Sequence, residues 1–104
     1  MLTSMSDNLF ELRSAAKSAA ETFYEASVIY YTSIEANTPE HEVSFSLKQC
    51  IFLGNKYKVV LYQLMDDLKS LKQTEGTTEI AKVEESIEQL EAELSKLNLA
   101  LKSS

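Results

Sequence analysis

A chain of 104 residues with 10 basic and 16 acidic side chains carries a formal net charge of −6. That length suits one domain, and the charge disfavours polyanionic partners, because phosphate backbones and anionic lipid surfaces are both repelled. Two Gly, one Pro and no Trp argue against turn-rich β architecture and leave few, long helices.

The N-terminal stretch, Met1-Leu2-Thr3-Ser4-Met5-Ser6-Asp7, has neither a basic region nor an apolar run, so it does not read as a secretory leader. Ser4-x-x-Asp7 resembles a capping box with Asp in the usual Glu position. From there Met5, Leu9, Leu12, Ala16, Ala19, Phe23, Ala26 and Tyr30 recur at alternating steps of four and three. This is the period of one helical face, and it predicts a first helix over about residues 5–36.

Asn37-Thr38-Pro39-Glu40 interrupts that pattern. Thr38 is a suitable N-cap, and Pro39 suits the first helical position, where its missing N–H costs nothing. The second helix is predicted over about 40–73. Its stripe is Val43, Leu47, Cys50, Gly54, Tyr57, Leu61, Leu64, Leu68 and Leu71, widened by Ile51, Leu53, Val60 and Met65 towards two neighbours. Gly54-Asn55 is a turn signal inside this pattern, yet the apolar phase passes through it unchanged. Gly54 is expected at a helix crossing, against the Ala15, Ala16, Ala19 and Ala20 run of the first helix.

Thr74-Glu75-Gly76-Thr77 is the second interruption. Gly76 is expected in the left-handed conformation just past a helix end, with Thr77 capping the next helix. The third helix, about 78–102, repeats Ile80, Val83, Ile87, Leu90, Leu94, Leu97 and Leu101 without a polar interruption. Three helices of similar length with short connections predict an all-α, elongated, antiparallel three-helix bundle, up-down-up, with coiled-coil-like packing, forming a single domain over residues 1–104.

The inventory for chemistry is thin. Metal sites need three or four ligands, and His41 is the sole histidine. Cys50 lies on the apolar stripe, so it reads as a core thiol rather than a nucleophile. Asp66-Asp67 and Glu84-Glu85 are neighbours in sequence, and such pairs do not face one another on a helix. The tyrosines Tyr24, Tyr30, Tyr31, Tyr57 and Tyr62 read as core or interface rather than as a ligand pocket. No catalytic residue, metal site or cofactor site is expected, and the chain does not read as an enzyme. The lone cysteine cannot close an internal disulfide, no Asn-x-Ser/Thr acceptor is present, and no apolar run approaches membrane-spanning length. Cytoplasm or nucleus is the expected compartment, without membrane insertion.

Charge then separates the helices. The positions flanking the third helix's stripe hold Glu79, Glu84, Glu91 and Glu93, with no Lys or Arg. Two such helices would set Glu against Glu, which disfavours self-pairing through this helix. The second helix carries Lys48, Lys56, Lys58, Lys69 and Lys72 and is the natural complement within the chain. It also carries Phe45, Phe52 and Val59 at seven-residue spacing on the face opposite its main stripe, with Tyr62 close by. An exposed apolar row of this kind marks an interface. The competing expectation is that Tyr24, Val28 and Tyr31 of the first helix cover it.

The sequence therefore points to a non-catalytic helical protein–protein interaction module, an adaptor or subunit of a larger intracellular complex with a different protein chain as partner. Phe45, Phe52, Val59 and Tyr62 are the contact residues. A peptide-binding helical module and a small folding or secretion chaperone are the alternatives. Phe23-Tyr24-Glu25-Ala26 through Ala36-Asn37-Thr38-Pro39 resembles the second helix of a tetratricopeptide unit, and Leu53-Gly54-Asn55-Lys56-Tyr57 resembles that unit's Leu-Gly-x-x-Tyr step. The resemblance covers under half of the chain, lacks the Gly turn in the first helix, and lacks the Ala that should follow Tyr57. Tyr24-Glu25-Ala26 is similar, to the same degree, to microtubule-interacting and trafficking modules. No family is assigned from these fragments.

Overall fold

Among the described residues the chain forms three helices: α1 (Thr3–Glu35), α2 (Glu40–Ser70) and α3 (Gly76–Ser103). The computed structural model describes residues 3–70 and 76–103, with side chains for 8–70 and 78–103. At 33, 31 and 28 residues the helices are roughly 42–50 Å long, which matches a longest dimension of 53 Å. The architecture is an all-α three-helix bundle.

The chain reverses at Asn37 through helix-end hydrogen bonding. Asn37 adopts φ 53°, a left-handed conformation that Asn tolerates better than most residues. The Thr38 N–H donates to the Ser33 carbonyl at 3.2 Å and the Asn37 N–H to the Ile34 carbonyl at 3.3 Å. This is the Schellman pattern, which satisfies carbonyls left open at the end of α1. The Pro39 carbonyl accepts from Glu42 and Val43 at 2.9 and 3.1 Å, so α2 starts one residue later than a Thr38 cap implies.

Two other end signals are corrected. α1 begins at Thr3, which puts Ser4 inside the first turn rather than ahead of it. Gly76 is the first residue of α3 and has no positive φ, so it starts a helix and does not cap one. Asn37 holds the left-handed position. The side chains of Met5, Asp7 and Thr77, and residues Leu71, Lys72, Thr74 and Glu75, lie outside the described residues.

α2 is the middle helix. It packs on both α1 and α3, while no Cα of α1 comes within 8 Å of one in α3 among the described residues. Neighbours run antiparallel: Asn8 of α1 meets Asp67 of α2, and Ser27 meets Cys50. The periodic stripes are the core. Leu47, Cys50, Leu61, Leu64 and Leu68 of α2 are buried against Leu9, Ala26 and Tyr30 of α1 and Val83, Ile87, Leu90, Leu94 and Leu97 of α3. Ile51, Leu53, Val60 and Met65 are half-buried along the flanks, as a helix with two neighbours requires.

α2 runs unbroken through Gly54, whose smallness is a packing requirement. A Cβ there would lie 2.6 Å from Leu94 Cδ2 and 2.9 Å from Phe23 Cε1. The close neighbour on α1 is thus the Phe23 ring and not the alanine run, and Ala15 is exposed. An uninterrupted α2 also leaves the Leu53–Tyr57 fragment without the helix–turn–helix context of a tetratricopeptide unit.

α3 docks inside the chain, and all four of its flanking glutamates find partners there. Glu84 approaches Lys69 at 4.0 Å and Glu91 approaches Lys58 at 3.8 Å, both on α2. The other two face α1. Arg13 donates two hydrogen bonds to Glu79, from Nε at 2.7 Å and Nη2 at 2.6 Å, and the Tyr31 hydroxyl donates to Glu93 at 2.7 Å. These side chains bridge the gap between the two outer helices.

Candidate protein-docking site

α1 and α3 cover two flanks of α2 and leave its third face open. Residues seven apart fall two turns apart on nearly the same line of a helix, so Phe45, Phe52 and Val59 form one row along that face. They are 70%, 54% and 56% exposed. Exposure of this size for two phenylalanines contrasts with a core whose leucines are almost fully enclosed. Tyr24, Val28 and Tyr31 do not cover the row. All three are exposed themselves, and Tyr31 is turned to Glu93 on α3. That bond to a carboxylate, followed by burial, raises the Tyr31 phenol to about 12.

Tyr62 belongs to the edge of this face rather than to the row. Its hydroxyl donates to Glu91 at 3.3 Å, tying the ring to α3. The apolar surface extends the other way, onto α1. A cleft of about 250 Å³ opens between the helices, lined by Glu25, Ala26 and Ile29 of α1 and by Phe45, Gln49 and Leu53 of α2. Ile29 is 61% exposed at its rim. Sequence periodicity passes over Ile29 because it lies off the core stripe of α1, and only the position of α2 makes it a neighbour of Phe45.

The charges on this face differ from those of the chain as a whole. Between Glu42 and Asp66, α2 holds Lys48, Lys56 and Lys58 and no acidic residue. Lys58 lies towards Glu91. Lys48 and Lys56 stand four residues before and four after Phe52, on the same face, and neither pairs with a carboxylate among the described residues. The Lys56 ammonium sits 4.8 Å from the centre of the Phe52 ring, a cation–π contact.

The residues weighed for chemistry are dispersed. His41 is exposed at the start of α2 and borders a cavity of about 550 Å³ with Tyr30, Val43, Leu47 and Ala100. Cys50 is fully buried, beside the Ser27 hydroxyl at 3.4 Å. Burial pushes its thiol up, with the Ser27 hydrogen bond pulling the other way. Asp67 accepts from Asn8 at 2.8 Å, and Glu84 and Glu85 turn to different neighbours, Lys69 and Gln89. Among the described residues no three His, Cys, Asp or Glu side chains converge as a metal site needs. No described helix is long and apolar enough to cross a membrane.

No protein-family model, no curated protein and no solved structure matches this chain.

Proposed function

We propose that the protein is a non-catalytic interaction module: a three-helix scaffold that presents the outer face of α2 to another protein, as an adaptor or subunit of an intracellular complex in cytoplasm or nucleus. One observation carries this reading. Phe45, Phe52 and Val59 remain more than half exposed and fall on one line of α2. Single exposed apolar residues are ordinary, but an aligned aromatic row beside an apolar cleft is the composition of an interface centre. The paired glutamates of α3 add to it. With Glu79, Glu84, Glu91 and Glu93 engaged inside the chain, α3 supports the bundle and α2 is left to make the outward contact.

Affinity capture with the full chain and with the Phe45→Glu/Phe52→Glu variant tests this. Both positions face solvent, so folding stability should move by no more than about 0.5 kcal/mol, checked by a thermal melt. Stable co-purifying proteins should be lost from the variant. Retention of every partner by a folded variant refutes the reading. So does a monomer in light scattering that binds no hydrophobic dye.

A further inference from the structure

We infer that the occupant of the α2 face is an acidic amphipathic helix: one with apolar residues every three or four positions and Asp or Glu beside them. The inference rests on the docking reading above and adds the chemistry of the partner. An apolar row about 21 Å long, at 1.5 Å rise per residue from Phe45 to Val59, matches four turns of a helix laid alongside. The cleft beside Phe45, walled by Ile29 and Leu53, accepts one large apolar side chain from it, in the manner of a helix seated in a groove.

Charge selects the sign of the partner. The molecule carries −6 overall, yet the row is flanked by Lys48 and Lys56, without an acidic residue of α2 between Glu42 and Asp66; Glu25 of α1 is the one carboxylate in the lining of the cleft, so the two lysines outnumber it around the row. Every other α2 lysine among the described residues lies towards a glutamate of α3. A carboxylate on a docked helix would meet each of these two ammonium groups, neither of which pairs with a carboxylate among the described residues, at the rim of the apolar contact, where opposite charges steer encounter and reject wrong partners. A second copy of this chain fits poorly. Packed antiparallel about Phe52, it sets Lys48 against Lys56, and packed parallel it sets each lysine against itself. An anionic membrane is opposed by the net charge.

The test uses two fluorescent helical peptides with the same leucine face, one flanked by Glu and one by Lys, titrated against the full-length chain by anisotropy. The Glu-flanked peptide should bind about tenfold tighter, since exposed ion pairs contribute a few tenths of a kcal/mol to 1 kcal/mol each. Lys48→Glu/Lys56→Glu should reverse the preference, and Phe52→Glu should abolish both. Equal affinities, indifference to the lysine reversal, or no binding of either peptide overturns the inference. Lysine-dependent binding to phosphatidylserine vesicles, or a Phe52-dependent dimer in sedimentation, also overturns it. If peptide affinity depends on Phe45 and Phe52 but not on the lysines, the docking reading stands and the acidic partner falls. If partner capture is also indifferent to Phe45→Glu/Phe52→Glu, both fall.

Discussion

Replacing Gly54 by Ala is expected to destabilise the protein, although the same change in an exposed helix would do the reverse. Ala is favoured over Gly inside a helix by about 1 kcal/mol. Here the new methyl would lie 2.6 Å from Leu94 Cδ2 and 2.9 Å from Phe23 Cε1, against comfortable carbon contacts of roughly 3.5–4.0 Å. Leu94 is 4% exposed, so its tip must shift by about 1 Å among packed neighbours. The Phe23 ring is only half-buried and can tilt towards the groove it shares with Tyr57, 6.4 Å away between ring centres. Overpacking of this kind costs about 1–3 kcal/mol. Set against the helical gain, the expected loss is about 1 kcal/mol, or a fall in Tm of roughly 4–8 °C for a domain of this size. Urea unfolding followed by circular dichroism measures it. A double-mutant cycle isolates the cause: Leu94→Ala should cost at least about 1 kcal/mol less in the Gly54→Ala background than alone. A Gly54→Ala protein at least as stable as the parent, or strict additivity, refutes the steric account.

Three further outcomes follow from the same packing. Leu97→Ala, at a site 1% exposed, should lower stability by about 2–5 kcal/mol, read as a lower urea midpoint with unchanged slope. Glu79, whose carboxyl the Arg13 guanidinium holds below the ordinary carboxylate range, contributes stability above its unfolded-state pKa and loses it as pH falls through the folded value. Glu79→Gln should therefore cost under about 1 kcal/mol at neutral pH, screened as the pair is by solvent. The difference from wild type should vanish in acid, and a deficit that persists there would contradict the ion-pair explanation. Cys50 should resist thiol reagents in the native protein and react at the rate of global unfolding; rapid native labelling would mean the thiol is not enclosed.

How much of this was legible in the sequence differs from residue to residue. The stripe from Ile80 to Leu101 names the buried face of α3 directly, because a period near 3.6 has only one helical interpretation. The alignment of Phe45, Phe52 and Val59 on the opposite side of α2 followed from the same arithmetic, but whether α1 covers that row did not, and the structure leaves it exposed. What periodicity does not carry is which flank of α2 each outer helix takes. The Arg13–Glu79 and Tyr31–Glu93 bridges, the place of Ile29 beside Phe45, and the contact of Gly54 with Phe23 all depend on that three-dimensional choice. Turn chemistry misled at Gly76, where a glycine able to adopt positive φ opens a helix, and the left-handed residue is Asn37.

The spacing of the outer helices has a consequence for how the molecule comes apart. With no close backbone approach between α1 and α3, each outer helix is anchored through α2 and by a few bridging side chains. Opening should therefore proceed from the outside inwards, and the amides in the middle of α2 should be the last to exchange with solvent. A partner lying along α2 would grip this keystone rather than a peripheral flap. Its binding free energy would appear as resistance of the entire chain to unfolding, so that complex formation and protection from proteolysis would rise together.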